Sequence, residues 1–453
     1  MSAYKRILSY VLSLLMLLSL AACAVQPGED YAEFVPPEET DTLVVYENPI
    51  MSGLIDRALT LFKRKYPDVN IEYRRYSFAQ YDEMRTTLNA ELAAGEGPDI
   101  FWDNSFHYDF SKVKSMENGV YVDLEPFFKW DDEINLADYN EAALNAGMYK
   151  GHRYMVPLYF ETMVWVTTQE VLDEAGLDIG GGRQDFVSFM EMLRAYKAEN
   201  PDMYILGEAE KGYILNLFLP YSGMKTVNVE DRQITLDTAQ FRTLVDAYKD
   251  LFYEHDWLDL MTLDPLYGID LTNRETLFNC LEQRSMFDIA LTYAVLKSTQ
   301  TPVLVNCPSF DGRVIGQPDL MAFIREGSPN QLNAWRFLKI LLSEEIQADI
   351  RITGVTLPVL RSAMKTRLTD AFSEYRKPGS MKTADYGILT WAEVTEEEID
   401  EIISVIYEID DCWVDPSIRY VSSDNMFSYI AGERDYESCY DAFIGRIMLM
   451  LNE

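Results

Sequence analysis

The chain has 453 residues, 48% of them hydrophobic and 13% aromatic, which is enough apolar matter to bury a substantial core and too much for a disordered chain. Lys and Arg total 39 against 74 Asp and Glu, a formal charge of −35, so a phosphate backbone would be repelled on approach and no nucleic-acid partner is expected. Five Cys are too few for a disulfide scaffold, 23 Gly and 18 Pro give no collagen-like or low-complexity bias, and the length fits two large domains or three average ones.

Taken in chain order, the first 22 residues combine Lys5 and Arg6, an apolar run from Ile7 to Leu20, and the small residues Ala21 and Ala22 before Cys23. Charge, a short apolar stretch and a small-residue cleavage site are the parts of a secretory signal. The apolar run is shorter than the ~20 residues that span a bilayer. Leu20-Ala21-Ala22-Cys23 resembles the bacterial lipobox, which implies that Cys23 is lipidated, becomes the new N-terminus and holds the protein at the cell membrane by its acyl chains. Residues 24–40, with Pro and Glu and little apolar matter, read as a tether. The sequence thus describes an acidic body leashed outside the cytoplasmic membrane. There, Cys280, Cys307, Cys412 and Cys439 can pair in three ways or remain four buried thiols.

The body opens with a strand over Leu43–Tyr46. An amphipathic helix follows, with Leu54, Ile55, Ala58, Leu59, Phe62 and Tyr66 at helical spacing, stopped by Pro67. Val69, Ile71 and Tyr73 alternate as a second strand. Tyr81 to Leu92 is helical, with Met84, Leu88 and Leu92 on one stripe, and Asp99–Trp102 forms a third strand after the Gly95-Glu96-Gly97-Pro98 break. Strand–helix–strand–helix–strand predicts an α/β domain with a largely parallel sheet. Ligands of such sheets bind at the carboxyl ends of the strands, so the loops after Tyr46 and Phe101 are the informative ones. Helical spacing recurs over Phe186–Lys197, Thr238–Tyr253, Asn333–Leu342 and Glu396–Glu408, and Gly180-Gly181-Gly182 reads as a flexible loop.

Signatures of catalysis are missing. Gly95-Glu96-Gly97-Pro98-Asp99-Ile100 begins like a dinucleotide loop but has Ile at the third Gly, and Pro98 removes an N–H. Gly207 and Gly212 are spaced like a P-loop, with Tyr213 where Lys belongs. His107, His152 and His255 stand at unrelated spacings, against a zinc site, and no cofactor is expected. Carboxylate pairs suited to glycoside hydrolysis remain open among 74 acids. The balance leans toward a binding protein.

Several segments in order resemble the extracellular solute-binding lipoproteins of ABC importers, in the sugar-binding group that includes maltose-binding protein. They are Phe62–Val69, Ala94–Ile100, Val122–Phe127, Gly151–Pro157, Phe278–Met286 as a degraded F-x-x-G-x-A-M element, Trp335–Lys339, Leu342–Gln347 and Gly354–Pro358. The resemblance implies a two-lobed α/β fold of periplasmic-binding-protein type, with a hinge of three crossovers and a ligand cleft between the lobes. Lobe one is then 41–159 plus 319–350, and lobe two is 160–318 plus 351–453. It further implies a monomeric receptor that shuts on a small solute, most often a carbohydrate, and is read by permease subunits. A secreted glycan-processing enzyme and a peptide or polyamine receptor are the alternatives.

The resemblance also marks candidate contacts. Trp102 would stack on a sugar face, with Asp103 and Asn104 bonding hydroxyls. Glu161 and Tyr159 stand at the first crossover, and Glu47 and Asn48 end the first strand. Tyr221, Tyr293 and Trp391 would supply the facing aromatic wall. Each has an ordinary alternative as core aromatic, cap or turn residue.

Overall fold

The fold is described from a computed structural model over residues 34–47, 49, 51–103, 110–206, 213–252, 276–282, 286–351, 356–383, 387–414 and 418–452. The signal, Cys23 and most of the tether lie outside these described residues. The early elements follow the apolar spacing. β1 (Thr42–Tyr46) buries Leu43 and Val45, and α1 (Ser52–Lys65) buries Leu54, Ile55, Ala58, Leu61 and Phe62. Lys63, Arg64 and Lys65 in the last turn of α1 complement its dipole. Then come β2 (Asn70–Arg74), α2 (Tyr81–Ala93), β3 (Ile100–Asp103) and α3 (Phe110–Glu117). β1 pairs in parallel with both β2 and β3, as the alternating elements predict.

The next strands break that pattern. β4 (Val156–Glu161) runs almost directly into β5 (Met163–Thr168), with Thr162 between them. The chain then forms α4 (Phe186–Glu199), β6 (Tyr204–Leu206), α5 (Tyr213–Tyr221), a hairpin of β7 (Val227–Asn228) and β8 (Gln233–Ile234), α6 (Thr238–Leu251), β9 (Thr276–Glu282), α7 (Met286–Lys297), β10 (Pro302–Asn306) and β11 (Ile315–Ile324). After these come α8 (Gln331–Leu341), β12 (Leu357–Pro358), α9 (Arg361–Phe372), the hairpin β13 (Gly379–Thr383) and β14 (Gly387–Trp391), α10 (Glu396–Ile406), β15 (Asp411–Cys412), α11 (Ile418–Ile430) and α12 (Tyr436–Asn452).

Two main sheets result. The first has the order β12-β4-β11-β3-β1-β2, with β15 beside β11, and the second has the order β10-β5-β9-β6. The first is mixed rather than largely parallel: β11 is antiparallel to β3 and to β4, and β12 is antiparallel to β4. The reason lies in the long-range path, because β11 returns from the second sheet and enters the first between strands already running the other way. Each sheet carries its own helices, which gives two α/β lobes joined at Thr162 and at the returning chain between β10 and β11. Thr162 is fully buried, and its hydroxyl donates to the Ile406 carbonyl at 3.0 Å.

The second lobe is built on Trp165, whose ring meets Phe189, Phe218, Phe252 and Phe278 at centroid distances of 5.5, 5.6, 6.0 and 5.5 Å. Asp185 and Asp237 cap α4 and α6 by accepting backbone N–H groups. The Gly180–Gly182 stretch is tied to β10, since Gly182 accepts the Asn306 N–H at 2.7 Å. Cys307, Cys412 and Cys439 are buried free thiols. Burial raises the Cys307 and Cys412 pKa values, which disfavours the reactive thiolate.

In the first lobe, Gly95-Glu96-Gly97-Pro98-Asp99 closes α2 onto β3. Gly95 and Gly97 take positive φ of 75° and 103°. Asp99 is buried, and its carboxylate accepts from the Val44 N–H at 2.6 Å, the Ser328 hydroxyl at 2.6 Å and the Asn330 amide at 3.0 Å. Arg325 donates to the carbonyls of Pro98 at 3.1 Å and Gly95 at 2.9 Å. The motif is therefore a lock between β1, β3 and the start of α8.

A second lock holds α8. The Trp335 indole donates to Asp131 at 2.7 Å, and Lys339 lies 2.7 Å from both Asp131 and Glu133. Burial alone would raise the Asp131 pKa, but hydrogen bonds from Lys339 and Trp335 outweigh it and hold it below the usual carboxylate value; Lys339 likewise lowers that of Glu133. A depressed folded-state pKa contributes stability above the ordinary carboxylate pKa of about 4 and loses it as pH falls through the folded value. Lys339→Met is expected to cost about 1–3 kcal/mol at neutral pH. In thermal melts across pH, the gap between variant and wild type should shrink below about pH 4. A gap that persists unchanged in acid would refute the ion-pair account.

Candidate functional site

β1, β3 and β4 run the same way, because β1 is parallel to β3 while β11 is antiparallel to both β3 and β4. Their carboxyl ends share one edge of the first sheet and carry Glu47, Asp103 and Glu161. Pairing sets their depths. Asp103 opposes Met321, which opposes Pro157 on the far side. Glu161 is four residues beyond Pro157, or about 13 Å further along the strand direction. Glu47 and Asp103 therefore belong to a floor, and Glu161 stands in an end wall where the chain leaves for the second lobe.

The floor carboxylates are held in place. Glu47 is buried and accepts the Tyr76 N–H at 3.2 Å. Asp103 pairs with Lys112 of α3 at 2.5 Å, with both side chains largely buried. Tyr81, at the start of α2, lies close enough that burial and then the Asp103 charge push its hydroxyl pKa up to about 12. On the wall, Glu161 opposes Gln317 of β11, and Tyr159 opposes Asp319. The Arg367 guanidinium sits 5.4 Å from the Tyr159 ring centroid, and burial lowers its pKa from the usual guanidinium value. Carboxylates with adjacent planar donors and phenol rings suit a ligand rich in hydroxyl groups.

The remaining candidates are spread out. Trp102 is 3% exposed and alternates onto the opposite face from Phe101, with its ring 6.3 Å from Phe337 of α8, so the helix layer covers it. Tyr221 ends α5 and is 1% exposed within the core cluster around Trp165. Tyr293 packs edge-on to Phe372 at 6.2 Å, and burial together with the charges of Glu398 and Glu401 raises its hydroxyl pKa to about 12. Trp391 ends β14, donates its indole N–H to the Lys377 carbonyl at 2.8 Å and lies edge-on to Tyr375 at 5.7 Å. Asn48 and Asn104 lie outside the described residues. The structure thus gathers Glu47, Asp103, Tyr159 and Glu161 on one sheet and places Tyr293 and Trp391 around α7 in the other lobe.

Sequence reasoning missed Lys112, Tyr76, Tyr81 and Gln317. Lys112 had a weak signal, since it opens the helix nine residues after Asp103. Gln317 had none, because only the β11–β4 pairing brings it to Glu161. Among the described residues no group of three or more His, Cys, Asp or Glu side chains is arranged to hold a metal ion, and no helix is long and apolar enough to cross a membrane.

A family model for bacterial extracellular solute-binding proteins matches residues 46–348. The chain belongs to this family. It is a family of solute-binding proteins rather than of enzymes. A maltotriose-binding protein of Pyrococcus abyssi is 22% identical over 312 residues, covering 66% of this chain and 61% of that relative's length. Among solved structures, the sugar-binding protein MalE of Xanthomonas citri superposes with a TM-score of 0.61 at 15% identity, covering 91% of this chain and 97% of that one. UspC of M. tuberculosis gives 0.60 at 14% identity, with 90% and 99% covered. A family 1 extracellular solute-binding protein of Alicyclobacillus acidocaldarius gives 0.58 at 14% identity, with 93% and 100% covered. These likenesses extend over both lobes and establish the two-lobed fold.

Proposed function

We propose that this solute-binding protein is the extracytoplasmic receptor of an ABC importer for a small carbohydrate, anchored to the membrane by lipid on Cys23. The lobes are 41–159 with 319–350 and 160–318 with 351–453. Solute enters between them, bonds to Glu47, Asp103 and Glu161, with Asn48, Asn104 and Tyr159 as further candidate contacts, and is closed over by the lobe bearing Tyr293 and Trp391. Trp102 and Tyr221 support these walls from beneath. Contacts made to both lobes exist only in the closed form, so the ligand shifts the hinge equilibrium by its extra affinity for that form. Permease subunits then read the closed shape, and the energy for transport comes from elsewhere in the importer.

The observation that carries this reading is the set of three strand-end carboxylates on one edge, next to the junction of two lobes, in a chain of a solute-binding family. A thermal-shift screen with maltotriose, maltose, tagatose, amino acids, short peptides and polyamines tests it. A sugar at about 100 times its Kd should stabilise the protein by about 2.7 kcal/mol and be recovered chemically unchanged. Stabilisation by a peptide or polyamine alone would overturn the carbohydrate assignment, and consumption of the sugar would overturn the receptor. Cys23→Ala should move the protein from the membrane fraction to the soluble fraction; retention at the membrane would refute the lipid anchor.

A further inference from the structure

Beside the hinge lies a cavity of about 430 Å³ that is lined by none of Glu47, Asp103 or Glu161. Its walls come from separate parts of the chain. Tyr149 belongs to the short hairpin preceding β4, Lys225 leads into the β7–β8 hairpin and Val227 opens it, Arg313 precedes β11, and Asp411 and Trp413 lie at β15. The β7–β8 hairpin grows out of the second core yet is fastened to the first. Glu230 accepts the Lys150 N–H at 2.7 Å, Arg232 pairs with Glu117 at 2.7 Å, and Val229 packs on the cluster that holds Tyr149, Met155 and Phe323. Glu117 ends α3, the helix that returns from the carboxyl side of β3, so these contacts lie away from the strand-end carboxylates.

The basic side chains that line this cavity are already matched, and the Glu230 carboxylate is taken up by the Lys150 N–H. Arg313 pairs with Asp311 at 2.6 Å and Asp411 at 2.9 Å, and Lys225 stands 3.9 Å from Asp411. The unmet group is neutral: the Trp413 indole N–H is buried and has no acceptor among the described residues. A buried donor left unpaired is costly, and an incoming oxygen would relieve that cost. Met224, Val227 and Ile315 line the cavity as apolar surface. The volume falls within the range of small-molecule clefts.

We propose that this flank cavity is a second ligand site for a small neutral polyhydroxylated molecule, which accepts the Trp413 N–H and lays its carbon faces on the apolar wall. Compensated charge gives an ion no net attraction, while matched donors and acceptors beside apolar surface suit hydroxyl groups. Because elements of both lobes line the site, its occupant binds one hinge angle better than another. It therefore couples to the strand-end cleft, and the coupling is reciprocal.

The test is isothermal titration of the full chain with trehalose and with sorbitol, a two-ring and a linear probe, in wild type, Trp413→Phe and Thr235→Trp. Thr235 is exposed at the cavity rim, so the large side chain fills the site without entering a core. The expected result is saturable binding of at least one probe, weakened about tenfold by Trp413→Phe and abolished by Thr235→Trp. If Trp413→Phe fails to fold, Thr235→Trp decides alone. Absence of saturable binding by both probes, or binding that survives Thr235→Trp, would overturn the proposal. Binding of maltotriose, maltose and tagatose is followed in the same samples. Its absence alongside probe binding lost in Thr235→Trp would sink the strand-end reading and leave this one standing.

Discussion

Asp99→Ala is expected to lower the unfolding free energy by about 3–5 kcal/mol, a large share of a typical domain's stability. The carboxylate is 1% exposed and accepts from three donors on two segments: Val44 of β1, and Ser328 and Asn330 before α8. Arg325 stands 3.6 Å from it, itself largely buried. Removing the acceptor leaves buried donors and a cation without compensation, and each orphaned donor costs about 1–3 kcal/mol. Urea unfolding followed by circular dichroism reads the loss. Asp99→Asn keeps one acceptor oxygen and should lose roughly half as much. A loss below about 1 kcal/mol for the alanine variant would refute the lock.

Glu161→Gln is expected to weaken binding of the sugar that the thermal-shift screen identifies about 10- to 100-fold while leaving the fold intact, because hydrogen bonds to a charged acceptor contribute about 1.5–3 kcal/mol. The substitution preserves shape at a site that is 1% exposed and replaces one acceptor oxygen with a donor. Asp103→Asn should have the smaller effect, since Asp103 shares its charge with Lys112 in the free protein. Titration calorimetry on both variants gives the comparison, and their unliganded melting temperatures check folding. Unaltered affinity in Glu161→Gln would remove the end wall from the ligand site.

Much of the first lobe was legible because its signals are local. The short apolar run of Leu43–Tyr46, the helical spacing from Leu54 to Phe62 and the Gly-Pro break before Asp99 each lie within a few residues, and each element formed close to its expected bounds. Trp102 shows the limit of that reading. Its place at a strand end pointed to the cleft, but alternation within β3 turned its side chain toward Phe337. Which face of a strand meets solvent depends on the layers above and below, and no local pattern carries that information.

The sequence by itself determined the acidic character, the α/β class and the family, because composition and ordered motifs survive without knowledge of contacts. Tertiary structure alone decided that the first sheet is mixed, that Gln317 faces Glu161, and that a hairpin of the second lobe is pinned to Glu117 and Lys150 of the first. Those pairings join residues from 80 to more than 150 positions apart in the chain. They follow from the chain leaving the first sheet at Thr162 and returning to it at β11, a constraint that acts on the folded chain as a whole.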